Sequence, residues 1–212
     1  MIEDIIQLDR SITLAINGSH SLLVDHLMMI ITSTVTWIPL GVFILWYIFH
    51  KKGAYTLMLV VLSIGLCILL ADGISSGIFK PLVGRYRPSR DVDLMYLIKV
   101  VDGYRGGRFG FFSSHAANSL SVAVFLGMLF RSKQLWVMFI IFSLLNCWSR
   151  VYLGVHYFGD IMAGLLCGAI VGWCVFWLYR KFGGTYMNDD GHPVIVAEMS
   201  TFVVLLLVAF LI

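Results

Sequence analysis

Residues 54–78 read AYTLMLVVLSIGLCILLADGISSGI, a run of 25 positions whose only charged side chain is Asp72. A helix that crosses a bilayer needs about 20 apolar residues, because hydrocarbon offers no partner to backbone N–H and C=O groups and the segment must satisfy its own. Working outward from this run, five further stretches come close to the same length: 27–49, 114–130, 135–149, 161–179 and 193–212. Each ends near charge, Gly or Pro. The whole chain agrees with this reading. Its 212 residues are 59% hydrophobic and 13% charged, against about 25% charged in soluble domains, and the mean hydropathy is +0.90. The pattern predicts an all-α fold, an integral membrane bundle of about six transmembrane helices forming one domain over residues 1–212. Residues 3–17 set Ile5, Ile6, Ile12 and Leu14 among Glu3, Asp4, Asp9 and Arg10, which predicts an amphipathic helix lying at the interface.

Charge distribution suggests an orientation. Short loops rich in Lys and Arg stay cytoplasmic, and His50-Lys51-Lys52, Arg131-Ser132-Lys133 and Arg180-Lys181 fall at alternate ends of the spans. The opposite face then receives residues 79–113 and 150–160. Residues 79–113 are themselves basic, with Lys80, Arg85, Arg87, Arg90, Lys99, Arg105 and Arg108, an exception that anion binding would explain. The net charge of +3 is too small, and its cations too scattered among apolar runs, to point to a nucleic-acid partner. Cys67, Cys147, Cys167 and Cys174 all lie in apolar runs without a C-x-x-C pair, so they read as packing residues and indicate neither a disulfide framework nor a zinc site. Met1-Ile2-Glu3-Asp4 lacks the basic region of a secretory signal, so the spans themselves are expected to direct insertion. The polar loop 183–192, with Gly183-Gly184 and Asn188-Asp189-Asp190-Gly191, is explained by turn chemistry, and Gly164, Gly168 and Gly172 form a small-residue row suited to helix packing.

Three polar clusters interrupt the apolar pattern, and all fall in the segments assigned to one membrane face. They are Lys80 through Arg87-Pro88, Ser113-Ser114-His115, and Ser149-Arg150 followed by His156 and Asp160. Taken singly, Lys80 or Arg87 reads as a snorkelling cation, Ser113-Ser114-His115 as a helix cap, and His156 with Asp160 as an interfacial pair. Taken together, Lys80, Arg87 and Arg150 with two histidines suggest a cradle for a highly charged anion, and phosphate suits the fork of a guanidinium and the point charge of an ammonium. Ser113 and Ser114 stand where a helix begins and can turn free N–H groups toward that anion. His156 and Asp160 are four apart, so the carboxylate can hold one ring nitrogen and present the other as a nucleophile. Only two histidines and few carboxylates converge, which argues against a metal.

As an ordered set, Lys80 with Arg87-Pro88 after six residues, Ser113-Ser114-His115, and Ser149-Arg150 with His156 and Asp160 resemble the three-part signature of the type 2 phosphatidic acid phosphatase superfamily, small bacterial membrane branch. The likeness spans residues 80–160. It implies a metal-independent, cofactor-free mechanism in which His156 attacks phosphorus, Asp160 orients it, His115 protonates the leaving oxygen, and water hydrolyses the phosphohistidine. Lys80, Arg87, Ser113, the Ser114 backbone and Arg150 would bind phosphate. The chain departs from the usual Pro-Ser-Gly-His of the second motif by having Phe112-Ser113-Ser114-His115, and Ser114 in place of Gly bears on how closely the backbone meets phosphate.

The resemblance leads to an expected lipid phosphatase of the bacterial inner membrane. Its site would face the extracytoplasmic side, with a membrane lipid phosphate and the bilayer as partners and no obligate protein partner. Undecaprenyl diphosphate and phosphatidylglycerophosphate are the leading substrates, with a lipid A phosphatase or a lipid phosphotransferase as alternatives. A vanadate haloperoxidase shares the motifs but is soluble. From a different class, an ion or solute transporter could use Asp72 and the histidines as a path, though inverted repeats are lacking.

Overall fold

A computed structural model describes residues 2–17, 21–188 and 190–211. Met1, Asp189 of the 183–192 loop and Ile212 of the last apolar run lie outside them. The described residues are helical, with no strand beyond a single bridge between Tyr86 and Phe109. Helices α1 (Ile2–Ile16) and α2 (Leu22–Thr32) precede a 3-10 turn (Thr34–Trp37) and the long α3 (Ile38–Asp72). A π-helical stretch (Gly73–Phe79) continues into α4 (Lys80–Val83), and a long loop leads to α5 (Ser114–Phe130), α6 (Lys133–Tyr152), α7 (Phe158–Lys181) and α8 (His192–Leu211).

The stretch Thr34–Val83 is 50 residues long. As one straight helix it would extend about 75 Å, more than twice the hydrocarbon thickness. Gly53, with φ 78 and ψ −178, breaks it. Only glycine adopts that conformation without a Cβ penalty. Gly41, Ile44 and Leu45 on one side of the break and Ile64 and Ile68 on the other line the same cavity, so the two legs fold back along each other. With this stretch, α6, α7 and α8 are long and apolar enough to cross a membrane, whereas α5 is a shorter apolar helix.

The expected first span, 27–49, is corrected. Residues 27–32 belong to the separate α2, and Ser33 is extended at φ −76 and ψ 123 before the chain resumes at Thr34. The cause is local: Thr36 Oγ1 donates to the Ile30 carbonyl at 2.7 Å and Trp37 Nε1 to the Ile31 carbonyl at 2.9 Å, so side chains take the acceptors that a continuing helix would have used. At the other end of the hairpin the run 54–78 extends to Val83, where Gly84 at φ 64 closes it.

The glycine row of α7 is an intramolecular seam. A Cβ at Gly164 would fall 2.6 Å from the Ser113 carbonyl oxygen, one at Gly168 would fall 2.5 Å from that of Ala117, and Gly172 meets Ser121 in the same way. The absence of side chains lets α5 lie directly on α7, which brings the start of α5 beside the start of α7. Two of the cysteines, Cys67 and Cys147, are buried as packing residues, but Cys174 is exposed on the outside of α7.

Helix α1 is amphipathic in an inverted sense. Its polar residues Asp9 and Thr13, with Asn17 just past its end, are spaced four apart and turn toward the protein, while Ile5, Ile6 and Leu8 are exposed. The basic ends gather on one side of the bundle: Tyr55 bonds the Phe182 carbonyl, and Arg131 and Arg180 both stack on Tyr186.

Candidate active site

Local rules place each functional side chain. Arg87 precedes Pro88, which holds it extended at φ −71 and ψ 154. Its guanidinium is pinned by donating from Nε to the Phe109 carbonyl at 3.2 Å and from Nη1 to that of Val155 at 3.1 Å. The loop crosses over it at Gly106, where a Cβ would sit 2.8 Å from Nη1 and where φ is +62. The π-helical stretch before Lys80 directs Ser75, Ser76 and Lys80 at one target, Ser114. Ser75 and Ser76 each lie 3.1 Å from Ser114 Oγ, Lys80 Nζ donates to the same oxygen, and it also donates to Ser76 at 2.9 Å. Asp72 accepts from Ser76 at 3.0 Å and so belongs to the edge of this network.

Ser113 is the N-cap of α5, its hydroxyl accepting from Ala116 N at 3.4 Å and its own N–H donating to the Asp160 carbonyl at 3.1 Å. His115 follows in the first turn, half-buried, in the electrostatic field of Arg150, His156, Arg87 and Lys80. Arg150, in the last turn of α6, is 2% exposed. It donates from Nη1 to Thr32 and to Tyr104 at 2.8 Å, and among the described residues its Nε has no partner. A buried donor of this kind is what a phosphate oxygen would satisfy.

His156 lies in the turn between α6 and α7 and is 1% exposed; Asp160, in the first turn of α7, is fully buried. His156 Nδ1 is 3.4 Å from Asp160 Oδ2, and Nε2 is 3.3 Å from Arg87 Nη1. A guanidinium can only donate, so Nε2 must be the acceptor and the ring proton must sit on Nδ1, donated to Asp160. The tautomer therefore puts the ring's lone pair on Nε2, where it accepts from Arg87.

Burial first, then the charges of Arg87, Arg150 and Lys80, hold His156 well below the usual histidine pKa, with the Gly110 carbonyl opposing them. Arg87 is drawn down to about 10, chiefly by burial and then by Arg150, and stays charged at neutral pH. The sign follows directly: a lowered histidine pKa keeps the imidazole neutral, its nucleophilic form, as pH falls through 6.5. Nitrogen-labelled histidine spectra should accordingly show the His156 ring unchanged from neutral pH down through 6.5, and a midpoint at or above 6.5 would contradict the environment described.

The structure thus gathers Lys80, Arg87, Ser113, Ser114, His115, Arg150, His156 and Asp160 at one end of the bundle. Among the described residues, no three His, Cys, Asp or Glu side chains cluster to hold a metal. Several participants were not singled out by the sequence reading: Ser75 and Ser76, Thr32 and Tyr104 behind Arg150, and Arg85 with Asp9 behind Asp160. Arg85 donates to Asp160 Oδ1 at 3.0 Å and to Asp9 Oδ2 at 2.7 Å. The available signal for Asp9 was its spacing of four from Thr13, on a stripe of α1 that turns inward.

Comparison with known proteins places the chain in a family. Residues 56–183 match the PAP2 superfamily. A lipid A 4′-phosphatase of Bacteroides thetaiotaomicron is 38% identical, over 91% of this chain and 86% of its own length. Another lipid A 4′-phosphatase, from Porphyromonas gingivalis, is 36% identical over 90% of this chain and 82% of its own. The crystal structure of a transmembrane PAP2 type phosphatidylglycerolphosphate phosphatase from Bacillus subtilis shares the fold, with a TM-score of 0.64 at 22% identity, over 85% of this chain and 86% of that one.

Proposed function

Since this chain belongs to the PAP2 superfamily and is an integral membrane lipid phosphatase, a hydrolase, we propose that its substrate is lipid A and that it removes the phosphate ester at the 4′ position. The observation that carries this choice is the match to two lipid A 4′-phosphatases along about nine-tenths of the chain, well beyond the motif region. The order set by sequence reading, with undecaprenyl diphosphate and phosphatidylglycerophosphate ahead of lipid A, is therefore reversed. The solved neighbour at 22% identity supports the fold alone.

In the proposed reaction Lys80, Arg87 and Arg150 hold the phosphoryl oxygens, with N–H groups at the start of α5 beside them. His156 Nε2 forms a bond to phosphorus as the ester P–O bond breaks, and His115 delivers a proton to the departing sugar oxygen. Asp160 stabilises the positive charge that develops on the ring. Water then gives its proton to the now neutral His115 and attacks phosphorus as the P–Nε2 bond breaks, which releases phosphate and restores a neutral His156 and a protonated His115. No metal or cofactor takes part. Residues 1–212 act as one membrane-embedded domain. The two legs of Thr34–Val83 with α5, α6, α7 and α8 make six crossings, and α1 lies at the interface. The gathering of Arg131, Arg180 and the 50–55 turn at the end away from the site supports an extracytoplasmic site in the inner membrane.

The test is a metal-free phosphate-release assay in detergent on lipid A, undecaprenyl diphosphate, phosphatidylglycerophosphate and phosphatidic acid, with mass spectra locating the lost phosphate. Lipid A should be the best substrate by kcat/KM and should lose its 4′ group while keeping the other. Faster turnover of any other lipid, or loss from the other sugar, would displace this reading.

A further inference from the structure

We propose that Arg85 and Asp9 are positioning residues for the Asp160–His156 pair, and that α1 is thereby part of the catalytic apparatus. The proposal rests on the phosphatase reading above.

Asp160 is a fully buried carboxylate and needs compensation of its charge. Its Oδ2 accepts from the Tyr157 N–H at 3.1 Å and faces His156 Nδ1; its Oδ1 accepts from Arg85 Nη1 at 3.0 Å. With both oxygens held, the carboxylate plane cannot turn, and the imidazole it steers keeps one orientation. Arg85 is in turn fixed on two sides. Its Nη2 donates to Asp9 Oδ2 at 2.7 Å, and its guanidinium lies 3.7 Å over the Tyr157 ring. One planar fork thus bridges two carboxylates, a geometry that a lysine cannot reproduce.

Helix α1 completes the clamp from the other side. Asp9 Oδ1 accepts from the Gly159 N–H at 2.7 Å, and Thr13 Oγ1 from the Phe158 N–H at 3.1 Å, so α1 satisfies two of the free N–H groups that open α7. Gly159 suits the approach, since a Cβ there would fall 3.0 Å from Asp9 Oδ2. The chain Asp9, Arg85, Asp160, His156 therefore runs from α1 to the nucleophile. Asp9 lies outside residues 56–183, the part that matches the family. On its opposite side α1 exposes Ile5, Ile6 and Leu8, so the helix that would rest on the bilayer is also the one that anchors the relay.

The full-length protein in detergent tests this with Arg85→Ala, Arg85→Lys and Asp9→Asn. Turnover, KM, inhibition by orthovanadate as a probe of the phosphate site, and His156 ring spectra in nitrogen-labelled protein are the readouts. Arg85→Ala should lower kcat by about 10- to 100-fold, with KM and vanadate inhibition within about twofold of wild type. Arg85→Lys should recover part of the loss, and Asp9→Asn should cost less than Arg85→Ala. Asp9→Asn added to Arg85→Ala should cost nothing more, because the two act through one connection. The wild-type ring should be a single Nδ1–H tautomer, and Arg85→Ala should mix the two. Wild-type kcat and an unchanged ring spectrum in Arg85→Ala would overturn the relay. So would a matching loss of vanadate inhibition, which would make Arg85 a phosphate ligand. If Arg85→Ala does not fold, Arg85→Lys and Asp9→Asn carry the same comparison. A wild-type protein that released no phosphate would defeat the phosphatase reading, while the ring spectra would still decide the relay.

Discussion

His156→Ala is expected to lower turnover by roughly 10⁴-fold or more, the scale seen when a covalent nucleophile is removed. The geometry leaves no substitute. Asp160 is fully buried on the far side of the ring, His115 is assigned to the leaving group, and the serines around Ser114 are bonded to one another and to Lys80. Lys80, Arg87 and Arg150 remain in the variant, so phosphate binding should survive and the loss should fall on kcat. Two measurements check this: phosphate release under saturating lipid, and acid-labile phosphate retained on the protein after rapid quenching with labelled substrate. The wild type should carry the label and the variant should not. Comparable turnover in a folded His156→Ala protein would remove the proposed nucleophile.

His115→Ala is expected to show a loss that depends on the leaving group. A sugar oxygen departs poorly without a proton, so on a lipid phosphate ester the variant should fall by about 10²- to 10⁴-fold, the usual contribution of a positioned general acid. An aryl phosphate leaves as a stable phenolate and needs much less help. The ratio of the two rates should therefore shift strongly toward the aryl substrate in the variant, a change that a general loss of folding would not cause. Equal losses on both substrates would show that His115 serves binding or structure instead.

Two kinds of sequence information governed how much could be read in advance. The apolar runs were legible because the bilayer imposes a local condition, a length of unbroken apolar chain, that each segment meets or fails alone. The boundary at Ser33 was not, since it turns on Thr36 and Trp37 bonding back to the α2 carbonyls rather than on hydropathy. Likewise the outward turn of Cys174 depends on which side of α7 meets α5. That side is set by the glycine row, and the sequence reading placed the row in a packing role without naming its partner.

The candidate site residues stood out for a chemical reason. Lys80, Arg87, His115, Arg150, His156 and Asp160 are costly in an apolar chain, so their presence had to be explained, and the four-residue spacing of His156 and Asp160 lies within one turn. Spacing alone could not give the ring tautomer. It follows from Arg87 reaching Nε2, a contact between residues 69 apart.

By itself, the amino-acid order determined that this chain is a membrane-embedded helical phosphatase with cations clustered in two segments, because hydropathy and charge act over a few neighbouring residues. Tertiary structure alone decided what stands behind His156. Asp9 meets Arg85 across 76 positions, and Arg85 meets Asp160 across 75. Partners so far apart are brought together by the packing of α1 and α7, a property of the folded chain that no local pattern encodes.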